Sequence, residues 1–97
     1  MFEIKDLIWD QGNVAHIVRH QVTQEEVEQA LSGFCAVRDS YGGRLLVLGR
    51  TNAARILAVI LHPKGEARSY VVTARSADRK ERTIYQTERE RGGEEAA

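Results

Sequence analysis

The sequence predicts an α+β domain: an antiparallel β-meander with two N-terminal helices and a C-terminal helix. Three observations carry that expectation. The stretches 45–48, 56–61 and 70–74 are apolar or β-branched runs separated by short turn signals, Thr51-Asn52 and Pro63-Lys64-Gly65, which is the spacing of consecutive antiparallel strands. Ahead of them, Val14, Ile17 and Val18, and then Val27, Ala30 and Leu31, repeat at helical intervals. After them, the last apolar strand passes at Ser76 into the most highly charged stretch of the chain.

Taken in order, Phe2, Ile4, Leu7, Ile8 and Trp9 form an apolar opening whose alternation breaks at Asp6, read as a short strand or extended arm. Asp10 caps a helix that ends near His20, and Thr23 followed by Glu26 is a capping box for a second helix that Gly33 stops. An edge strand is expected over 34–37 and a turn at Tyr41-Gly42-Gly43. The unbroken apolarity of 56–61 marks a central strand covered on both faces and the most buried segment of the chain. Ser76 ends the last strand and caps the last helix, where Asp78 suits the first-turn dipole. That helix offers a core only Ala77, Ile84, Tyr85 and the stem of Glu81, while Arg79, Lys80, Arg82, Arg89 and Arg91 alternate with Glu81, Glu88 and Glu90. The two N-terminal helices are expected on one side of the sheet and the charged helix at its end. The domain spans 1–91, and 92–97, with nothing to bury, is read as a disordered tail.

A chain of 97 residues holds one core. No apolar run approaches the ~20 residues that span a bilayer, and the N-terminus lacks the basic flank and apolar centre of a signal peptide, so a cytoplasmic location with no membrane contact is expected. Cys35 is alone, which excludes an internal disulfide and a paired-cysteine metal site and leaves a buried structural thiol. The formal net charge is zero, but residues 1–31 carry six acids and two bases whereas the rest carries twelve bases and eight acids. A basic part within a neutral chain permits contact with a polyanion without requiring it. No phosphate-cradling glycine loop and no Gly-x-Ser-x-Gly elbow is present, which disfavours nucleotide hydrolysis and acyl transfer.

Two clusters could carry chemistry. His16 and His20 stand four apart on one helix face, a spacing at which two imidazoles can hold a metal; a third ligand would have to come from distant His62 or a carboxylate. His20 also suits a proton shuttle, because imidazole changes charge near neutral pH, or a helix C-terminal cap favoured by the dipole. Arg75 lies where strand meets helix, with Arg79, Glu81, Arg82 and Tyr85 following. Cations over a phosphate, a base and an acid are what metal-free RNA cleavage needs. The same residues could equally be solvated ion pairs and a core tyrosine.

Thr73-Ala74-Arg75, Ala77, Glu81-Arg82 and Tyr85, together with Trp9-Asp10, Asn13, His16, Arg19-His20, Val22 and Glu25-Glu26-Val27, give the chain a pattern that resembles the BrnT family of toxins from about Trp9 to Tyr85. It departs from that family in carrying Gln21 where a glycine is usual, in its neutral balance and in lacking a lysine-rich first helix. The resemblance implies a fold similar to the RelE toxins and a ribonuclease toxin of a type II toxin-antitoxin system that cleaves single-stranded RNA without metal or cofactor. It also implies a BrnA-like antitoxin partner through which alone promoter DNA is bound. On that reading His20, Arg75, Glu81 and Tyr85 are the expected catalytic residues, and Arg55, Arg79 and Arg82 the expected RNA contacts. The alternative is a non-catalytic binding module of the same fold, a degenerate toxin or regulatory partner, to which the neutral charge lends support.

Overall fold

A computed structural model describes residues 6–96, with side chains for 6–92. The elements are β1 (Asp6–Ile8), α1 (Gln11–Val18), α2 (Gln24–Ser32), β2 (Cys35–Asp39), β3 (Leu45–Arg50), β4 (Ile56–Gly65), β5 (Arg68–Ser76) and α3 (Arg79–Ala96). The five strands form one sheet in the order β1-β5-β4-β3-β2. Neighbours from β2 to β5 run antiparallel, whereas β1 lies parallel to β5, with Asp6, Leu7 and Ile8 opposite Arg68, Ser69 and Tyr70. The sheet is therefore mixed and five-stranded rather than antiparallel throughout. What holds the extra strand is Asn13 at the start of α1, whose buried Nδ2 donates to the carbonyls of Ile8 (2.9 Å) and Val71 (3.1 Å).

Both N-terminal helices begin at satisfied caps. Asp10 accepts from the Asn13 N–H while Asn13 Oδ1 accepts from the Asp10 N–H, and Thr23 and Glu26 exchange the same two bonds. Ile17 of α1, Val22 in the turn after it, and Val27 and Ala30 of α2 close on Val47, Leu57, Val59, Leu61, Val71 and Ala74 from the sheet. The α2 helix approaches so closely that a Cβ on Gly49 would run into the Ala30 carbonyl. Extra residue Val72 in β5 makes a bulge opposite the Ile60/Leu61 step. Both Val71 and Ala74 therefore face this core although three positions separate them.

The opposite face carries Ala36, Leu48 and Ala58, successive partners across β2, β3 and β4, and Tyr85 of α3 covers them together with Ala77, just ahead of that helix. The last helix thus lies across a second face rather than at the sheet's end. Residues 56–61 are buried at every position but Ile60, as expected of a strand covered on both sides.

Three local expectations are corrected. Ser76 is the last residue of β5 and does not cap α3; that role belongs to Asp78, whose carboxylate accepts from the Glu81 N–H at 2.8 Å. Pro63-Lys64-Gly65 is strand, and the chain reverses at Glu66 and Ala67 with φ of 55° and 63°. Pro63 is tolerated because the pairing of β3 with β4 ends at Leu61, so no bond to β3 is lost there. Finally, α3 runs on through 92–96, the stretch read as tail, and Ala97 and the opening Phe2 and Ile4 lie outside the described residues.

Candidate functional site

At one end of the sheet β4 begins, β5 ends, and α1 and α3 each bring a terminus alongside. Arg75 is the cross-strand partner of Ala58, so it emerges on the α3 face. Its guanidinium meets Glu81 in a fork, Nη1 to Oε1 at 2.7 Å and Nη2 to Oε2 at 2.9 Å. Glu81 Oε1 also accepts from the Asp78 N–H at 2.9 Å, completing the capping box of α3. The hydrogen bond from Arg75, aided by the cap, holds the Glu81 carboxyl below its ordinary value of 4.5, against the opposing effect of burial. The Glu81 side chain is 11% exposed and the Arg75 side chain 43%. Such a pair fixes the arginine's orientation while leaving its outer edge open to an anion.

Along the first turns of α3, Arg79 is exposed and Arg82 donates from Nη1 to the Ala77 carbonyl at 2.8 Å. With Ile56, Thr83 and Gln86 they border an open groove of about 390 Å³. Tyr85 does not line it: 3% exposed, its ring packs edge-on against Phe34 with centroids 5.7 Å apart.

The α1 terminus approaches the same sheet end from the other face. Val22 N–H donates to the Ile17 carbonyl and Gln21 N–H to that of Val18, with Gln21 at φ 60°. This is a Schellman closure, in which a left-handed residue ends the helix. His20 is exposed within it, its ring against that of His16 at a centroid distance of 5.3 Å. Among the described residues no three of His, Cys, Asp and Glu are grouped to hold a metal ion. His20 makes no hydrogen bond to the Arg75–Glu81 pair; the element between them is Arg55, which bonds Ser76 Oγ, the Gln21 carbonyl and Glu26. The structure therefore pairs Arg75 with Glu81 and lines a groove with Arg79 and Arg82 on the α3 side, keeps His20 and Arg55 with the α1 and α2 side, and places Tyr85 in the core.

The connecting roles of Arg55, Ser76 and Asn13 could not be found by spacing, because each joins elements 21 or more residues apart. Cys35 is enclosed, donating toward the carbonyls of Ala30 and Gly33, and burial pushes its thiol up to about 11, so it is no nucleophile. No helix among the described residues is long and apolar enough to cross a membrane.

A five-stranded mixed sheet between a helix pair and a single charged helix, with arginines gathered at one sheet end, defines a small α+β protein that presents fixed cations. No family model and no curated protein matches the chain. Among solved structures it is similar to the Brucella abortus ribonuclease toxin BrnT, at 30% identity over 76% of this chain and 97% of that one, with a TM-score of 0.61. The chain belongs to the BrnT family.

Proposed function

We propose that this protein is the endoribonuclease toxin of a type II toxin-antitoxin pair and that it cleaves single-stranded RNA without a metal ion. The observation that carries this is the Arg75 side chain, fixed by Glu81 yet 43% exposed, on the side of the sheet where Arg79 and Arg82 line a groove, in a chain similar to a ribonuclease toxin. RNA contains its own nucleophile. The 2′-oxygen attacks the adjacent phosphorus, the bond to the 5′-oxygen breaks, and a 2′,3′-cyclic phosphate remains, so the protein need only supply charge and move protons. Arg75, with Arg79 and Arg82, stabilises the charge that builds on the phosphoryl oxygens. Glu81 holds Arg75: both its oxygens are engaged and its carboxyl is kept ionised, so it serves as anchor and not as acid. His20 is the proton carrier, and Tyr85 supports α3 from below.

Activity of this kind in the cytoplasm calls for an inhibitor. The arginine face suits an acidic, helical antitoxin of the BrnA kind, which would exclude RNA by charge mimicry and alone bring promoter DNA. The fold relation extends, on this reading, to the RelE toxins.

One observation favours a binding module instead. With Glu81 saturated and Tyr85 enclosed, His20 is left as the one proton carrier of the three and stands on the other face. The experiment is cleavage of end-labelled single-stranded RNA in the presence of chelator, with analysis of the product ends. Cyclic phosphate ends, and a loss on the order of 10²-fold in rate for Arg75→Ala with the fold retained, are expected. Undiminished cleavage by Arg75→Ala would remove the proposed site, and binding without cleavage would establish the module.

A further inference from the structure

We propose that Arg55 is a positioning residue: its guanidinium holds the turn that ends α1, and His20 with it, against the end of β5, and it does not contact RNA. Its catalytic consequence rests on the ribonuclease reading above; its structural half does not.

The geometry is that of a three-way tie. Nε donates to Ser76 Oγ at 2.9 Å, and Nη1 donates to the Gln21 carbonyl at 2.7 Å and to Glu26 Oε2 at 3.1 Å. One rigid fork therefore joins the last residue of β5, the closing turn of α1 and the first turn of α2. The fork is itself fixed, since the Arg55 N–H donates to Thr51 Oγ1 at 3.1 Å and the Arg55 carbonyl accepts from the Thr51 N–H at 2.9 Å. Glu26 is fixed in turn by its bonds with Thr23, which together with Arg55 hold its carboxyl below the ordinary value.

A phosphate arriving at this guanidinium would meet the Glu26 carboxylate already in place, on a side chain only 28% exposed whose acceptors come from three separate segments. Arg75 presents the contrary arrangement, an enclosed acid and an open base. Two of the residues bonded to Arg55, Gln21 and Ser76, are the chain neighbours of His20 and Arg75, so release of the tie frees the His20 turn from the strand that carries Arg75. Displacements of about 1 Å in such a constellation cost on the order of 10²-fold in rate. Lysine cannot replace it, because a single ammonium on a flexible stem does not reproduce a planar fork between separated acceptors.

The test compares wild type, Arg55→Lys and Arg55→Ala by two readouts. In kinetics, both variants should lose on the order of 10²-fold in kcat with KM for RNA and its salt dependence nearly unchanged. In NMR, the His20 ring signals should move and the amides of 20–22 should exchange faster in both. A raised KM and a salt slope reduced by about one with kcat intact would make Arg55 a phosphate contact and overturn the proposal. Unmoved His20 signals and unchanged exchange would overturn it as well. If wild type cleaves no RNA, the ribonuclease reading fails while the NMR arm still decides whether Arg55 holds the turn. Should Arg55→Ala not fold, Arg55→Lys, which keeps charge and stem, carries both readouts.

Discussion

The two faces of the sheet use the same pair of residue types in opposite senses. On the α1 and α2 side, Arg55 and Glu26 are equally enclosed, each side chain 28% exposed, and the arginine is the hub of bonds to three elements. On the α3 side, Glu81 is the enclosed partner and Arg75 the open one, at 11% and 43%. An enclosed arginine closes structure, whereas an enclosed glutamate presents a cation. The apolar layers differ in parallel. The first face is a core of Ile, Leu, Val and Ala from three strands, two helices and the turn between them; the second is covered by one helix and the residue ahead of it, contributing Tyr85, a half-buried Ile84 and Ala77. Stability should therefore respond mainly to changes on the first face and anion handling to changes on the second.

The largest effect should come from the tightest place on the first face. Gly49→Ala puts a methyl into the Ala30 carbonyl, and neither backbone can yield without pulling α2 from the sheet. A loss of about 3 kcal/mol, read from urea denaturation midpoints, is expected. Gly92→Ala is the matching change on the second face, where a Cβ would lie 3.8 Å from the Phe34 ring in ordinary contact. It should be neutral or gain up to about 1 kcal/mol through helix propensity. Equal losses at both glycines would break the contrast between the faces. A smaller change sharpens it: Gln21 sits at φ 60° in the turn that Arg55 ties down, so Gln21→Gly should relieve about 1 kcal/mol of left-handed strain. Because the tie is to a carbonyl it survives the substitution, and the melting temperature should rise rather than fall.

Features of the molecule that are local in sequence were legible in it. Asp10 and Thr23 with Glu26 signal two helix starts through contacts three residues long, and Ala77, Ile84 and Tyr85 mark the buried stripe of α3. What depends on distant partners was not. Strand β1 is three residues whose pairing partner lies about sixty positions away, and nothing in its pattern separates it from an extended arm. Pro63 reads as a turn until the pairing of β3 with β4 is known to end at Leu61, two residues before it. Arg55 and Arg75 look alike in a list of cations. Only the three separate segments tied by one, and the short-range bonds of the other to Glu81 and the adjoining Ser76 carbonyl, assign them different work.

The smallest expected effect concerns the two glutamates themselves. Both carboxyls are held below the ordinary value of 4.5, Glu81 chiefly by its bond from Arg75 and Glu26 chiefly by the Thr23 backbone. A group whose value is depressed by folding contributes stability that is fully present above the unfolded value and lost as pH falls through the folded one. Each pair should therefore add to stability at neutral pH, with the contribution fading below about pH 4.5. Glutamine keeps the length and the capping acceptor but not the charge. Glu81→Gln and Glu26→Gln should each be slightly less stable than wild type at pH 7, by about 1 kcal/mol or less, and should converge on it at pH 3. Since Glu81 is the more enclosed of the two, its variant should have the flatter acid limb when urea midpoints are followed from pH 7 to pH 3. Identical limbs for the two variants would show that enclosure of the acid does not distinguish the pairs. A flatter limb for Glu26→Gln would reverse the assignment and make the Arg55 side the more strongly coupled one.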